Sequence, residues 1–328
     1  MGKYSGRRIG IGIAKESSRG TKAGTPEYWL PYATFNGMET LAKVRDDSGF
    51  ATIETPADAD IVRQWMEGDL EMNIRSKSIG LLLLSLFGTE TFDDDNPEAG
   101  VGQHTFTVAN TNQHQSLTLF EDNPEREVAA AGVVVTSMGL ELVLDQYARA
   151  SFGLMGKTFE DYASTASFVA ESKFRPQDVT VKLAADVASL TAASALTSVE
   201  SVSLEINKNV EVQDGFNGST DPIDFLNLDF EVSGEITLMH NGDTELDYAL
   251  NNTLRAMRID IENTDDTIGA ASNPSLRFDL SQVDFDEPSI DKGLSNRAIL
   301  TLSFTAHYKL SETDMIEARL INAVNTAY

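Results

Sequence analysis

The feature that most constrains the fold is a strict alternation of apolar and polar residues over positions 226–238. Apart from Gly234, every even position of this stretch is apolar and every odd position is polar. A period of two is typical of a β-strand with one face in a core and the other in water. We therefore expect a long two-faced strand here, in a sheet that needs a second layer to cover its apolar face.

A second stretch joins the same period to a helix. Leu70, Met72 and Ile74 alternate with polar residues, and the chain then becomes almost continuously apolar over positions 78–87. Ser78 as a cap and Gly88 as a stop predict a short helix that is buried on nearly all sides. The same order of strand and helix recurs at 234–239 and 243–254, which indicates one unit that occurs twice.

Further alternation at 133–152, 201–206, 257–261, 276–280 and 300–308 predicts more strands. The fold class that follows is mainly β, with two copies of an antiparallel β-sandwich or open-barrel unit, each with one flanking α-helix. We divide the chain into an irregular N-terminal arm at 1–37, a first unit at 38–160, a connection at 161–197 and a second unit at 198–328. Within the first unit, the turn residues 46–49 predict a hairpin between two extended pieces.

The residues that most catalytic and metal sites need are scarce. The chain has no cysteine, which excludes disulfides, thiolate nucleophiles and Cys-ligated metals. Its four histidines fall in separate predicted elements, and no nucleophile elbow, P-loop or HExxH helix occurs. The acidic loop at 93–100 lacks the spacing of an EF-hand and is interpreted as a solvated turn. We expect no enzyme activity, no metal and no cofactor.

Charge and hydropathy limit the partners. With 51 acidic and 25 basic residues the formal net charge is -26, which argues against affinity for a DNA backbone. A solvated acidic surface and a high-salt habitat are alternative reasons for the same bias. The longest apolar run, at 79–87, is about half of the ~20 residues that a membrane span needs, and the start of the chain lacks a signal-peptide core. We expect a soluble protein, made in the cytoplasm, with no membrane partner.

Several stretches of the chain, in their order and in their residue patterns, resemble the members of one protein family. The stretches are the arm at 20–26, the strand and helix at 68–88, the strands at 116–120 and 135–142, and the segments 199–209, 230–236 and 320–322. Together they resemble the major tail tube proteins of long-tailed phages and of archaeal tailed viruses. The resemblance covers most of the chain and implies a structural protein of the virion tail.

The resemblance also implies partners. Members of such a family stack as rings into a hollow tube, in which sheet strands of neighbouring subunits join around the bore and the helix packs outside. DNA passes through that bore to the host without specific binding, and other tail proteins meet the tube at its ends. A duplicated unit implies homotrimeric rings with pseudo-six-fold symmetry, and homohexameric rings are the alternative.

The strands with the cleanest alternation are the best candidates for the wall of the bore. Their acidic residues, which we predict to face the lumen, are Asp69, Glu71, Glu141, Asp145, Glu205, Asp229, Glu231 and Glu235. Alternation alone does not distinguish water inside a bore from water outside it, so an outward orientation is the alternative. A basic lining would hold phosphates by ion pairing, whereas an acidic wall lets DNA slide.

Two other classes of function compete with a tube protein. A β-sandwich module that binds carbohydrates or a surface would usually carry a cluster of exposed aromatic residues, but the only tryptophans, Trp29 and Trp65, are far apart in the sequence. A β-rich hydrolase with scattered acids is the other alternative, and no catalytic constellation supports it. Electron microscopy of the concentrated protein separates these classes, since only a tube protein forms rings or tubes.

Overall fold

The computed structural model describes residues 5–54, 58–94, 96–286, 288–294 and 297–328. The strands of the first half are β1 Gly10–Lys15, β2 Tyr28–Leu30, β3 Tyr32–Phe35, β4 Met38–Arg45, β5 Ala59–Asn73, β6 Gly88–Asp93, β7 Gly102–Val108, β8 Leu117–Asp122, β9 Val128–Val143, β10 Arg149–Gly156 and β11 Phe159–Asp161. Helix α1, Ile79–Phe87, lies between β5 and β6.

The strands of the second half are β12 Val179–Ala184, β13 Val199–Asn207, β14 Glu211–Gln213, β15 Asp224–Leu226, β16 Glu231–Met239, β17 Arg255–Glu262, β18 Ser275–Phe285, β19 Ser289–Asp291, β20 Ile299–Ala306 and β21 Ile316–Asn322. Helix α2 is Val187–Leu190 and helix α3 is Thr244–Leu250. Short 3-10 turns occupy Gly6–Arg8 and Pro176–Asp178. The chain is thus mainly β, as the sequence predicts, and the strand pairings are antiparallel.

One sheet, here called the long sheet, runs through both halves of the chain. Its order is β3 and β4, then β5, β10, β9, β13, β16, β20 and β19. Strands β3 and β4 share the first position because they pair in turn with the same edge of β5. The long sheet therefore has eight strand positions, with one edge at β3–β4 and the other at β19.

A second layer consists of two smaller sheets. One has the order β2, β1, β8, β9 and β11, and the other has the order β12, β17, β18, β21, β7 and β6. Strands β9 and β18 belong to both layers, because the first half of each pairs in a small sheet and its end pairs in the long sheet. The apolar faces of the layers meet in one continuous core that spans both halves.

The pairings repeat one pattern twice. In the first half β1 pairs with β8, β8 with the bent β9, β9 with β10 and β11, and β10 with β5, which leads into α1. In the second half β12 pairs with β17, β17 with the bent β18, β18 with β20 and β21, and β20 with β16, which leads into α3. We call residues 10–161 the first unit and residues 179–322 the second unit.

Strand pairing includes more residues in these two units than the boundaries predicted from the sequence. Strand β1 lies in the predicted arm, yet it is almost wholly buried between β2 and β8. Strand β12 lies in the predicted connection and forms the edge next to β17. The predicted domain boundaries at 37, 160 and 197 remain a sequence-based prediction.

Helices α1 and α3, which follow corresponding strands in the two units, differ in burial. Helix α1 begins after Ser78 and ends at Gly88, whose φ of +91° is the left-handed conformation that favours glycine. All nine of its residues are buried, which confirms the predicted buried helix. Helix α3 has seven residues, fewer than predicted for 243–254, and none of them is buried.

The predicted single strand at 226–238 is wrong in its first part. Strand β16 begins only at Glu231, and 227–230 is an irregular connection. The reason is a competing partner: the backbone N–H of Asn227 donates to the carbonyl of Asn112, and the side chain of Asn112 donates back to the carbonyl of Asn227. The predicted hairpin is present, because β4 pairs with β5. Its second strand starts later than the turn residues 46–49 indicate, since β4 ends at Arg45 and β5 begins only at Ala59.

Candidate functional site: an acidic sheet face and an internal seam

Six of the predicted acidic residues lie on one face of the long sheet. Glu141 on β9 lies opposite Ser203 on β13, which in turn lies opposite Glu235 on β16. Directly opposed residues of antiparallel strands point to the same face, so these carboxylates share a surface. A serine stands between them, and two strand spacings separate them by about 9.5 Å.

Neighbouring rows of the sheet repeat this arrangement. Glu205 lies between Gly139 and Ser233, and Glu231 lies opposite Asn207. Because small neutral residues separate the carboxylates across the strands, like charges do not lie directly opposite one another. The sheet can therefore carry a dense negative charge without the penalty of adjacent like-charged pairs.

Strand β5 contributes the remaining acids of this face. Asp69 lies opposite Gly153 and Glu71 opposite Ser151. The side chain of Asn36 donates to Asp69 at 3.4 Å. The hydroxyl of Thr34 donates to a carboxylate oxygen of Glu71 at 2.6 Å.

The full set of charged residues on this face includes one that sequence reasoning missed. Glu67 shares the parity of Asp69 along β5, and period-two counting could have found it. Two basic residues share this face in the described strands: Arg149 on β10, which lies opposite Glu141, and Arg63 near the start of β5. The carboxylates of what we call the acidic face are Glu67, Asp69, Glu71, Glu141, Glu205, Glu231 and Glu235.

Two predicted residues lie off the strands. Asp145 is exposed in the turn between β9 and β10. Asp229 is exposed in the irregular connection that precedes β16, because the strand begins two residues later. The structure thus brings six of the eight predicted residues together on one sheet face and places these two beside it.

The two units meet edge to edge within the long sheet. Strand β13 of the second unit pairs with the end of β9 of the first, in seven consecutive residue pairs from Ser201 opposite Val143 to Asn207 opposite Ser137. We call this pairing the internal seam. It makes the sheets of the two units one sheet, so that the acidic face is continuous from one unit to the other.

The second unit also covers helix α1 at the internal seam. Lys208, directly after β13, is fully buried, and its ammonium donates to the carbonyl of Ser85 in α1 at 2.9 Å. Burial, with a contribution from the charge of Arg19, lowers the pKa of Lys208 from 10.5 to about 7. Phe230, directly before β16, packs against Phe87 of α1 with ring centroids 6.0 Å apart.

The segment between Lys208 and Phe230 is tied to the first unit along its length. The guanidinium of Arg19 donates to Asp224 at 2.7 Å and to the carbonyls of His114 and Phe225. Burial lowers the pKa of His114, which favours its neutral form. These contacts explain why α1 lies in a closed environment within a single chain.

Glu16 anchors the loop that carries Arg19. Its buried carboxylate accepts hydrogen bonds from the backbone N–H groups of Gly20 and Gly132, both at 2.7 Å, and from the hydroxyls of Ser116 and Thr118. Four donors on one buried carboxylate fix the loop against β8 and β9. Most of the predicted arm is therefore held on the body of the first unit.

A second contact between the units is polar and buried. His104 on β7 bonds to Glu90 at 2.8 Å through Nδ1 and lies 3.2 Å from Asn322 of β21 through Nε2. Asn322 donates to the phenolic oxygen of Tyr328, which donates to the carbonyl of Lys77 before α1. This network joins the second unit to the first turn of α1.

The described residues form neither a metal-binding cluster nor a platform of exposed tryptophans. In the described ranges, no group of three or more His, Asp or Glu side chains could hold a metal ion. Trp29 is buried under Gly10 and Gly12, and Trp65 is half-buried and donates to Glu67. The tryptophans thus provide no exposed aromatic platform. No helix within the described part of the chain is long and apolar enough to cross a membrane.

Comparison with known proteins identifies the family. The family model described as phage tail tube protein matches residues 6–306, a span that includes the acidic face, the internal seam, the whole first unit and the second unit as far as β20. No curated protein matches the chain. The antiparallel β-rich architecture agrees with this family. The chain belongs to the phage tail tube protein family and is a structural protein of the virion tail.

Proposed function

We propose that three copies of this chain close into a ring, that the rings stack into a hollow tube, and that the acidic face lines the bore through which DNA is delivered. The observation that carries this proposal is the internal seam. It joins two similar units edge to edge in one sheet, and the same kind of junction between chains would continue the sheet around a circle.

The edges of the long sheet favour closure. Among the described residues, β3 and β4 pair only with β5, and β19 pairs only with β20. Open strand edges invite pairing with another chain, and a closed ring removes them. A second copy of the same chain offers the complementary edge at each end.

The strand count favours three chains in a ring. Three chains with eight strand positions each give a cylinder of 24 strands, which at ~4.8 Å per strand has a circumference of about 115 Å and a diameter of about 37 Å between backbones. This width accommodates a DNA duplex with space for side chains. Six chains would double the diameter, so trimeric rings with pseudo-six-fold symmetry fit the role better than hexamers.

The acidic face suits the passage of DNA. A protein that neutralises phosphates with Lys and Arg gains an affinity that would retard its release. The seven carboxylates of this face outnumber its two basic residues, Arg63 and Arg149, so the wall repels the phosphates and the duplex can slide. The role is mechanical and needs no catalytic step, and contact with other tail proteins falls to the exposed surfaces at the two ends of the tube.

Electron microscopy with three-dimensional reconstruction of the native tail tests this proposal. We expect three chains per ring, a near six-fold appearance, and Glu205, Glu231 and Glu235 on the wall of the bore. Six chains per ring would refute the stoichiometry. The same carboxylates on the outer surface would refute the proposed lining.

A further inference from the structure

Helices α1 and α3 occupy the same position in the repeated pattern but have different surroundings. All nine residues of α1 are buried. Helix α3 has no buried residue, and Leu250 in its last turn is 64% exposed. Since the strands around the two helices pair alike, the difference lies in what covers them. Helix α1 is covered by the second unit across the internal seam, whereas none of the described residues covers α3 in this way.

We propose that β19 and the exposed side of α3 form a docking surface for a second copy of this chain. That copy places its β3–β4 edge beside β19 and lays its β4–β5 hairpin over α3, as the second unit pairs with β9 and covers α1 within one chain. This inference rests on the proposed ring and names the surfaces that form it.

Residue equivalences follow from the strand pairings. Gly68 lies opposite Leu154 on β10, and Gly234 lies opposite Phe304 on β20, at corresponding places in the two units. Counting four residues along from these glycines, Met72 lies opposite Ala150 and Leu238 lies opposite Leu300. Ala150 and Leu300 are therefore equivalent positions.

The next strand position identifies β19. Leu140 of β9 lies opposite Ala150, and Ile290 of β19 lies opposite Leu300. Strand β19 thus stands where the end of β9 stands in the first unit, which is the strand that forms the internal seam. Its other edge carries no partner in the described residues, whereas the corresponding edge of β9 is paired with β13.

The opposite edge of the chain has the matching geometry. Ile206 of β13 lies opposite Val232, and Glu39 of β4 lies opposite Met66, the residue equivalent to Val232. The β3–β4 edge of the first unit is therefore the counterpart of β13. Transferred to two chains, the register of the internal seam sets Ser289 of one copy opposite Met38 of the next.

The correspondence of β4 with β13 and of β5 with β16 also relates the β4–β5 hairpin to α3. The segment that covers α1 connects β13 to β16, and its counterpart is the hairpin that connects β4 to β5. That hairpin exposes an unusual number of large apolar side chains for a lone chain, namely Leu41, Val44, Phe50, Ile53, Ile61 and Val62. Leu250 is the last residue of α3, as Phe87, which contacts Phe230, is the last residue of α1. An apolar hairpin and an apolar helix end thus meet.

Disulfide trapping tests the register, and the absence of cysteine makes the background clean. The double variant Met38→Cys with Ser289→Cys, oxidised after assembly, should give covalent species of two and three chains on a non-reducing gel and none larger. Opposed residues of antiparallel strands have Cα separations within the range that a disulfide spans. Asn36→Cys with Asp291→Cys tests the same register independently if the first variant folds poorly.

Two controls accompany the experiment. Glu141→Cys with Ser203→Cys is the matched pair inside the internal seam, and it should lose its free thiols without a change in mass. Lys43→Cys with Ser289→Cys moves one partner five residues, about 17 Å, along the strand and should not cross-link. Cross-linking of that pair at an equal yield would overturn the register.

A substitution on α3 tests the second part of the surface. Adding Leu250→Glu to the Met38→Cys and Ser289→Cys variant should reduce the trimer band at least tenfold, because a carboxylate would be buried under the hairpin. The same substitution should leave the internal pair intact. An unchanged trimer band would show that the hairpin does not cover α3.

The outcomes separate this inference from the proposed function. Tubes in the electron microscope without either interchain cross-link would retain the tube and overturn this interface. Dispersed monomers under conditions in which native tails persist, again without cross-links, would refute both. A covalent series that continues to six chains would support the edges but refute the trimeric ring.

Discussion

Replacement of Lys208 by methionine should stabilise the monomeric chain at neutral pH. Burial lowers the pKa of this ammonium from 10.5 to about 7, and a change of one in a pKa corresponds to about 1.4 kcal/mol. At pH 7 the burial of Lys208 therefore costs about 4 kcal/mol relative to a neutral side chain. Loss of its hydrogen bond to Ser85 removes about 1 kcal/mol. The net gain expected for Lys208→Met is about 3 kcal/mol.

The pH dependence of that gain is the sharper measurement. Because the folded pKa lies below the unfolded one, the unfolded chain binds more protons between pH 7 and 10.5, and wild-type stability rises with pH across this window. The advantage of Lys208→Met should therefore shrink by about 2 kcal/mol between pH 7 and pH 9. Urea unfolding of both proteins at pH 7, 8 and 9, followed by circular dichroism, gives the difference.

The control for this comparison is Lys43→Met, which removes an exposed lysine of β4. Its effect should stay within about 0.5 kcal/mol and should not vary with pH. A stability difference between wild type and Lys208→Met that is constant from pH 7 to 9 would refute the reasoning. It would mean that the contact with the carboxyl end of α1 holds the ammonium charged despite its burial.

Three further perturbations test other parts of the structure. Glu16→Ala should lower the free energy of unfolding by about 3–5 kcal/mol, because four buried donors lose their acceptor, whereas the exposed Glu160→Ala should change it by less than about 0.5 kcal/mol in the same urea titration. Asp279→Ala should cost about 3–5 kcal/mol by leaving the buried guanidinium of Arg258, now bonded at 2.6 and 2.9 Å, without its partner; a melting temperature equal to wild type would contradict this. Lysine at three positions of the acidic face should leave tube assembly intact and slow DNA delivery, and virions that infect at the normal rate would show that these residues do not line the bore. The three positions are Glu205, Glu231 and Glu235.

Local sequence patterns predicted the elements whose environment is local. Helix α1 was predictable because a run of apolar residues between Ser78 and Gly88 needs no distant information to specify a short buried helix. Six acids of the acidic face were predictable because alternation along a strand fixes the face on which each side chain lies. Asp229 was misplaced because the hydrogen bonds exchanged between Asn227 and Asn112, which are far apart in the sequence, delay the start of β16 to Glu231.

Strand β1 was not predicted from the sequence for a different reason. It is buried on both faces, so its residues do not alternate between polar and apolar. Gly10 and Gly12, which suggest a loop when considered alone, leave room for close neighbours: a Cβ at Gly10 would clash with the Cβ of Ala166, and a Cβ at either position would press on the ring of Trp29. The internal seam was beyond local reasoning for a related cause, since the register between β9 and β13 depends on contacts between segments that are far apart in the sequence.

The covalent link between the two units has a kinetic consequence. Because the internal seam forms within one chain, half of the junctions in a three-chain ring close at the effective concentration of a tether rather than at the concentration of free subunits. Assembly of the proposed ring then requires two encounters between molecules instead of five, followed in either case by closure of the last junction. Because the two units are separate parts of one chain, they need not have the same sequence. Each can acquire its own loops and charges, so a wall with near six-fold geometry can present two different surfaces in alternation.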